Sequence, residues 1–272
     1  MLLNGIPSDH LPLSDRGLHY GDGLFETLAV VGGKPQFWDR HMARLARGVS
    51  ALGLPGMDQS QLRVEADTLC AGCERGVLKI ILTRGSGGRG YRPPEVCEPR
   101  RILSLHPWPE IPASWYDEGL QLRVCDMRLS RNRRLAGLKH LNRLEQVLAR
   151  QEWSDPLIGE GLMLDEHDRV ISGTQSNLFL VGSGGLRTPD LTWSGIAGIM
   201  RGLVLEQART LGLPVQTTQL TLDDLAKADA LFMTNSLWGL CPVARLNDKR
   251  YDLSAIPSQL RAAVSSAIES VA

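Results

Sequence analysis

The sequence predicts an α+β protein in two domains, and three observations lead there. Apolar runs of strand length alternate with amphipathic stretches at helical spacing along the whole chain. At 272 residues it is long enough for two modest domains or one large one. Near the middle, Pro107-Trp-Pro-Glu-Ile-Pro112 denies the backbone the donors that a helix or a central strand needs. Residues 107–118 therefore read as a linker between a smaller N-terminal domain, 1–106, and a larger C-terminal domain, 119–272, that carries the lysine discussed below.

Composition removes several function classes. Hydrophobic residues make up 43% of the chain, ordinary for a globular protein, and Lys+Arg balance Asp+Glu at 30 each. No basic excess points to nucleic acid and no acidic excess to a solvating tail, so any anion site must be local. The N-terminus lacks a basic stretch followed by a long apolar core, and no apolar run approaches bilayer-spanning length, which implies a cytoplasmic protein. Five cysteines without a regular framework fit a reducing compartment. Cys70-Ala-Gly-Cys73 has no second pair and no histidine pair beside it, so it reads as the end of a helix rather than a zinc or redox motif.

In order, residues 2–4 read as a short strand and 14–23 as a glycine-rich turn. Residues 24–31 then form an apolar strand ending in a Gly32-Gly33 hairpin turn. Residues 39–52 form a helix with Met42, Leu45, Val49 and Leu52 on one stripe. Residues 57–74 read as a second helix, and 77–83 as a buried strand. The following glycine run matches a dinucleotide loop as Gly85-x-Gly-x-x-Gly90, but Tyr91-Arg-Pro-Pro94 prevents it from opening a helix, so that reading is rejected. Strands follow at 101–106 and 120–127. A hairpin of 160–165 and 169–172 precedes a strand at 177–181, a helix at 199–211 and a strand at 230–233. Thr221 reads as a helix N-cap, and Pro257 as an early residue of a C-terminal helix.

The stretch that asks for a chemical explanation is Gly137 to Arg150. Lysine is scarce, with five against twenty-five arginines, and Lys139 stands at the start of a patterned segment whose Leu141, Leu144, Val147 and Leu148 fall at helical spacing. Lys139, Arg143 and Gln146 share a neighbouring face. A helix N-terminus with His140 and Arg143 nearby favours a neutral amine, the form that attacks an aldehyde to make a Schiff base. A solvated first-turn lysine is the plainer reading of the same spacing. Arg128, Arg131, Arg133 and Arg134 crowd the approach, as solvated surface or as a place for substrate carboxylates.

Residues 135–148, Leu-Ala-Gly-Leu-Lys-His-Leu-Asn-Arg-Leu-Glu-Gln-Val-Leu, resemble the lysine-bearing segment of aminodeoxychorismate lyases. Those belong to the pyridoxal phosphate-dependent fold type IV family, with branched-chain and D-amino acid aminotransferases. Further motifs recur in the family's order: Arg16-Gly-x-x-Tyr-Gly-Asp-Gly-x-Phe-Glu26, His41-x-x-Arg44-Leu45, Arg84-Gly-Ser-Gly-Gly-Arg-Gly-Tyr91, Gly198-Ile-x-Arg201 and Thr234-Asn-Ser236 with Pro242-Val243. The resemblance implies the two-domain α+β fold of the branched-chain and D-amino acid aminotransferases, with pyridoxal 5'-phosphate between the domains.

It also implies site residues. Lys139 would hold the cofactor as a Schiff base and act as general base. Arg44, the amides of Ile199 and Met200, and the Ser236 hydroxyl would hold its phosphate. Where most of the family has a glutamate facing the pyridine nitrogen, this chain has Ser172 in Val170-Ile-Ser-Gly173. A hydroxyl makes a weaker electron sink of the ring than a carboxylate does. That favours a lyase, driven by forming an aromatic product, over an aminotransferase for a D- or branched-chain amino acid. A non-enzymatic pyridoxal phosphate carrier or anion-binding module is the alternative from another class. Relatives are commonly homodimers acting on small molecules, so a homodimer is expected.

Overall fold

The computed structural model describes residues 1–271, which divide into two compact units. The first comprises Met1–Pro109 with Leu138–Asn142. Its strands are β1 (Leu2–Leu3), β2 (Ile6–Pro7), β3 (Gly23–Val31), β4 (Lys34–Pro35), β5 (Arg75–Thr83) and β6 (Arg100–Pro107). They form an antiparallel six-stranded sheet in the order β2-β1-β6-β5-β3-β4. Its helices are α1 (Arg16–Tyr20), α2 (Trp38–Leu52) and α3 (Gln59–Cys70).

Alternation along β3 decides what faces what. Leu24, Glu26 and Leu28 turn toward α2, where Leu24 and Leu28 meet Met42 and Leu45 in a core shared with Leu78, Ile80 and Leu82 of β5. Phe25 and Thr27 turn to the other face. Gly32 and Gly33 make the β3–β4 hairpin with φ of +55° and +78°, the left-handed pair that a two-residue turn of this type requires. Asp58 caps α3 by accepting from the amides of Ser60 and Gln61.

The second unit comprises Glu110–Gly137 and Arg143–Ser270. Its elements are α4 (Ser114–Asp117), β7 (Leu120–Leu129), α5 (Leu144–Arg150), β8 (Ile158–Asp165), β9 (Val170–Gly173), β10 (Asn177–Gly182) and β11 (Gly185–Pro189). After these come α6 (Ile199–Thr210), β12 (Val215–Thr218), α7 (Leu222–Ala226), β13 (Ala230–Asn235), β14 (Gly239–Leu246), β15 (Lys249–Arg250) and α8 (Ser258–Glu269). The strands form a mixed nine-stranded sheet ordered β12-β11-β10-β13-β14-β7-β8-β9, with β15 beside β14. The Val170 amide bonds the Leu220 carbonyl at 2.8 Å, so the last strand is tied to the segment that follows the first and the sheet curls. Leu178, Leu180, Leu231 and Met233 pack on one face of it. From the alternate positions Phe179 and Phe232 stack with centroids 5.0 Å apart. Thr221 caps α7 in a reciprocal capping box with Asp224, as its residue type predicts.

Three expectations change. Lys139 does not begin a helix: α5 starts at Leu144, and residues 138–142 lie outside any helix, with His140 bridged to Leu24. The Phe25 amide donates to the Lys139 carbonyl at 2.9 Å, and the Leu141 amide to the Gly23 carbonyl at 3.1 Å. Pairing with β3 has taken backbone groups that a helix would have used, and a helix dipole, felt only within the first turn, does not reach Lys139. For the same reason the lysine groups with the first unit, not with the C-terminal domain. The supposed packing stripe is exposed, with Leu144, Val147 and Leu148 at 75%, 49% and 50%.

The boundary between the units, at Pro109 and Glu110, falls inside the expected linker at 107–118, where residues 108–113 belong to no helix or strand. β6 runs to Pro107, α4 folds at 114–117, and Tyr116 donates to the Trp238 carbonyl at 3.1 Å while Trp115 packs edge-on against the Trp238 ring.

Truncating one half of the stacked aromatic pair tests the second core. Phe232→Ala is expected to cost about 3–5 kcal/mol, lowering the urea midpoint without changing the m-value.

Candidate active site

The lysine segment is held on the edge of β3 that β5 leaves open. β5 occupies one edge of β3 from Gly23 to Val31, and β4 takes the other at Val30–Val31, leaving the Gly23–Phe25 end for residues 138–142. Two glycines make the approach possible. A Cβ on Gly23 would lie 2.8 Å from Leu141 Cδ1 and 2.4 Å from the Leu82 carbonyl. At Gly21, φ is +62° and a Cβ would lie 2.5 Å from Asn142 Oδ1, while Asn142 Nδ2 donates to the Gly21 carbonyl. Lys139 Nζ then stands 4.1 Å from the centroid of the Phe25 ring.

The remainder of the Arg16–Glu26 motif is structural. Asp22 accepts from Arg16 Nε and Arg84 Nε, both at 2.8 Å, and Arg16 reaches on to the carbonyls of Gly90 and Tyr91 at 3.0 Å. Burial raises the Asp22 proton affinity, but the two guanidinium groups outweigh it and hold the carboxyl below its usual range. The glycine-rich loop is thus anchored to the motif and opens no helix.

Behind β3, Glu26 is enclosed with His41 and Arg44. Arg44 donates from Nε at 2.8 Å and from Nη2 at 2.5 Å, a forked contact, and His41 Nδ1 lies 2.7 Å from Glu26 Oε2. Burial alone would raise Glu26, yet Arg44 and His41 bring it from an ordinary 4.5 to about 2. His41 is pushed down chiefly by its own burial, against the pull of Glu26. It is therefore a neutral ring that donates through Nδ1–H. Its Nε2 is left a buried acceptor without a hydrogen-bond partner among the described residues. The sequence reading singled out Arg44 and passed over Glu26 and His41, although both stand in the quoted motifs.

In the second unit, α6 opens at Gly198 with no side-chain cap, so the amides of Ile199 and Met200 lie in an unsatisfied first turn. A Cβ on Gly198 would lie 2.1 Å from Asn177 Oδ1, and Asn177 Nδ2 donates to the Ile196 carbonyl at 3.0 Å. Asn177 pairs in register with Thr234 of β13, whose hydroxyl is buried at 1% exposure without a partner among the described residues. Two residues on, Ser236 follows Asn235, whose side chain accepts from the amides of Leu237 and Trp238 and shapes the turn. Helix amides and two hydroxyls are the donor set a phosphate dianion needs. Within the second unit these donors suit the phosphate of pyridoxal phosphate, and within the first the Lys139 amine suits its aldehyde; Thr234 and Asn177 were not foreseen.

Ser172 is buried in β9 and donates to the Gly173 carbonyl at 2.8 Å. The neighbouring carboxylate does not replace the missing glutamate. Glu160 is occupied by the turn that follows β9, accepting from the amides of Gly161, Thr174 and Gln175 and the hydroxyls of Thr174 and Ser176. The arginine cluster is partly committed: Arg131 pairs with Asp165, Arg128 with Asp168, and Arg131 and Arg133 lie 4.8 and 5.8 Å from the Trp193 ring centroid.

The Glu26 cluster has a pH signature. Because the folded carboxyl titrates below its unfolded value, its stabilisation is fully present above about pH 4.5 and is lost as pH falls toward about 2. Glu26→Gln is expected to cost roughly 3–5 kcal/mol at neutral pH, by leaving Arg44 buried without its counter-charge. The variant should also show a flatter acid-unfolding curve below pH 4.5 than the parent, followed by circular dichroism.

Comparison with known proteins agrees with this geometry. Residues 23–246 match the amino-transferase class IV family. An aminodeoxychorismate lyase of Vibrio harveyi is 38% identical over 245 residues, 90% of each chain. The crystal structure of 4-amino-4-deoxychorismate lyase from Pseudomonas aeruginosa superposes with a TM-score of 0.92 at 46% identity, covering 97% of both chains. A D-alanine aminotransferase of Bacillus licheniformis is 25% identical, covering 94% of this chain and 90% of its own. The fold is therefore the α+β fold of the branched-chain and D-amino acid aminotransferases, and its cofactor is pyridoxal phosphate. With four-fifths of its length matched and the lysine segment seated on β3, the chain belongs to the class IV aminotransferase family.

Proposed function

We propose that the chain is a pyridoxal phosphate-dependent lyase converting 4-amino-4-deoxychorismate to 4-aminobenzoate and pyruvate, a step of folate biosynthesis. The observation that carries this reading is likeness to two lyases over nine-tenths or more of the chain, at 38% and 46% identity, against 25–33% for D-alanine and branched-chain aminotransferases. Ser172 supports it, because a hydroxyl on the buried strand suits a reaction whose driving force is aromatisation of the product. When bound, pyridoxal phosphate supplies an aldehyde for an amine and a ring that withdraws electrons.

The chain supplies the rest. Lys139 Nζ would hold the cofactor through its aldehyde, and as general base the same amine would take up the proton lost from the amine-bearing carbon of the substrate. Loss of that proton and of the neighbouring enolpyruvyl group would leave an aromatic ring, and the proton held by Lys139 would go to the departing enolpyruvate, giving pyruvate. The amides of Ile199 and Met200 and the Ser236 hydroxyl would bind the phosphate, with Arg44, which Glu26 orients, as a further donor. Ser172 is the hydrogen-bonding partner for the pyridine nitrogen.

The exposed Leu144, Val147 and Leu148 of α5 are apolar surface that a second copy would cover, so we read the enzyme as a homodimer. Among the described residues no helix is long and apolar enough to cross a membrane, and all five cysteines are free. A cytoplasmic location fits both.

Lys139→Ala is expected to lower aminobenzoate formation by roughly 10²–10⁴-fold, read by product fluorescence. Turnover of aminodeoxychorismate to a keto acid with no aminobenzoate would instead favour the aminotransferase. Leu148→Glu should convert the dimer to monomer in sedimentation velocity; a parent protein already monomeric would remove the dimer reading.

A further inference from the structure

The Phe25 ring that faces the Lys139 amine faces a second lysine as well. Lys79 Nζ lies 5.8 Å from the same ring centroid that Lys139 Nζ approaches to 4.1 Å, which puts the two amines at most about 10 Å apart. Sheet register makes this a built arrangement. Lys79 pairs with Thr27, and Phe25 with Ile81, so Lys79 shares the face of β3 and β5 that Phe25 presents, away from the α2 core. Lys139 comes to that ring from the opposite edge of β3.

The charges around the pair leave Lys79 uncompensated. Glu26, on the other face of β3, is matched by Arg44, and His41 is neutral. His140 bridges Leu24 and so turns to the α2 side of the strand. Asp22 is taken by Arg16 and Arg84. Among the described residues, no carboxylate lies within salt-bridge reach of Lys79, and a lysine is ordinarily cationic at neutral pH. The Phe25 face attracts a cation and by itself would favour a protonated Lys139. A second cation beside the same ring acts in the opposite direction.

We propose that Lys79 is a positioning residue for Lys139: its charge, set against the shared Phe25 ring, keeps the Lys139 amine in the neutral, nucleophilic form. This rests on Lys139 being the reactive amine. Two unit charges near 10 Å, partly screened by solvent, shift a proton equilibrium by about half to one pH unit. The same electrostatic device activates lysines beside other cationic groups.

The test reads the amine itself. Apoprotein is treated with acetic anhydride across a pH series, and the acetylation rate of Lys139 is followed by peptide mass spectrometry, with the exposed Lys34 as internal reference. Lys79→Met should move the Lys139 midpoint up by about half to one unit, and Lys79→Arg, which keeps the charge, should leave it near the parent value. Lys79→Gln serves as a second neutral variant, each variant being accepted only with parental near-UV circular dichroism. Coincident profiles for parent and neutral variants would overturn the proposal, as would an equal upward shift in Lys79→Arg. Failure of the parent holoenzyme to form aminobenzoate would overturn the lyase reading and leave this labelling result standing.

Discussion

The backbone pairing of residues 138–142 with the open end of β3 is the constraint on which the site depends. A lysine side chain has four rotatable bonds, so its amine is placed only as well as the backbone that carries it. Two main-chain hydrogen bonds, from the Phe25 amide to the Lys139 carbonyl and from the Leu141 amide to the Gly23 carbonyl, fasten that backbone to a strand buried on one face. Gly21 and Gly23 permit the approach, and β4 is short enough to leave the edge vacant. The Lys139 amine is therefore built on sheet geometry, which is stiffer than the first turn of a seven-residue helix.

Behind that strand the electrostatics are arranged in layers. Glu26 is an expensive group to bury, and it is tolerated because Arg44 and His41 meet it with charge-assisted hydrogen bonds. What the cluster contributes is orientation as much as stability: a guanidinium forked onto a fixed carboxylate cannot swing, so its remaining surface is presented in one direction. In front of the strand, two amines approach the same Phe25 ring. The second unit, taken by itself, presents hydroxyls and helix amides.

Motif residues were legible wherever chemistry limits the residue type. A scarce lysine, a glycine-opened helix turn, an arginine in the His41-x-x-Arg44 pattern and the Thr234-Asn-Ser236 turn all stood out on those grounds. Ser172 was legible as a departure, and the structure adds that Glu160 is saturated by its own turn and does not stand in for the missing carboxylate. Glu26, His41 and Thr234 were overlooked because nothing local distinguishes a buried polar residue on a strand or helix from an exposed one. Only the partner across the fold does that.

Periodicity and turn chemistry determined most of the elements, including the Gly32-Gly33 hairpin, the Thr221 cap and the core face of α2, since these depend on neighbours within a few residues. The conformation of residues 138–142 was decided elsewhere. Their pattern is compatible with a helix, and the competing choice, a vacant strand edge more than a hundred residues earlier, is invisible to any local rule. The same holds for the α5 stripe. Spacing establishes that Leu144, Val147 and Leu148 share a face, but whether that face meets a core or solvent is a matter of what the rest of the chain leaves uncovered.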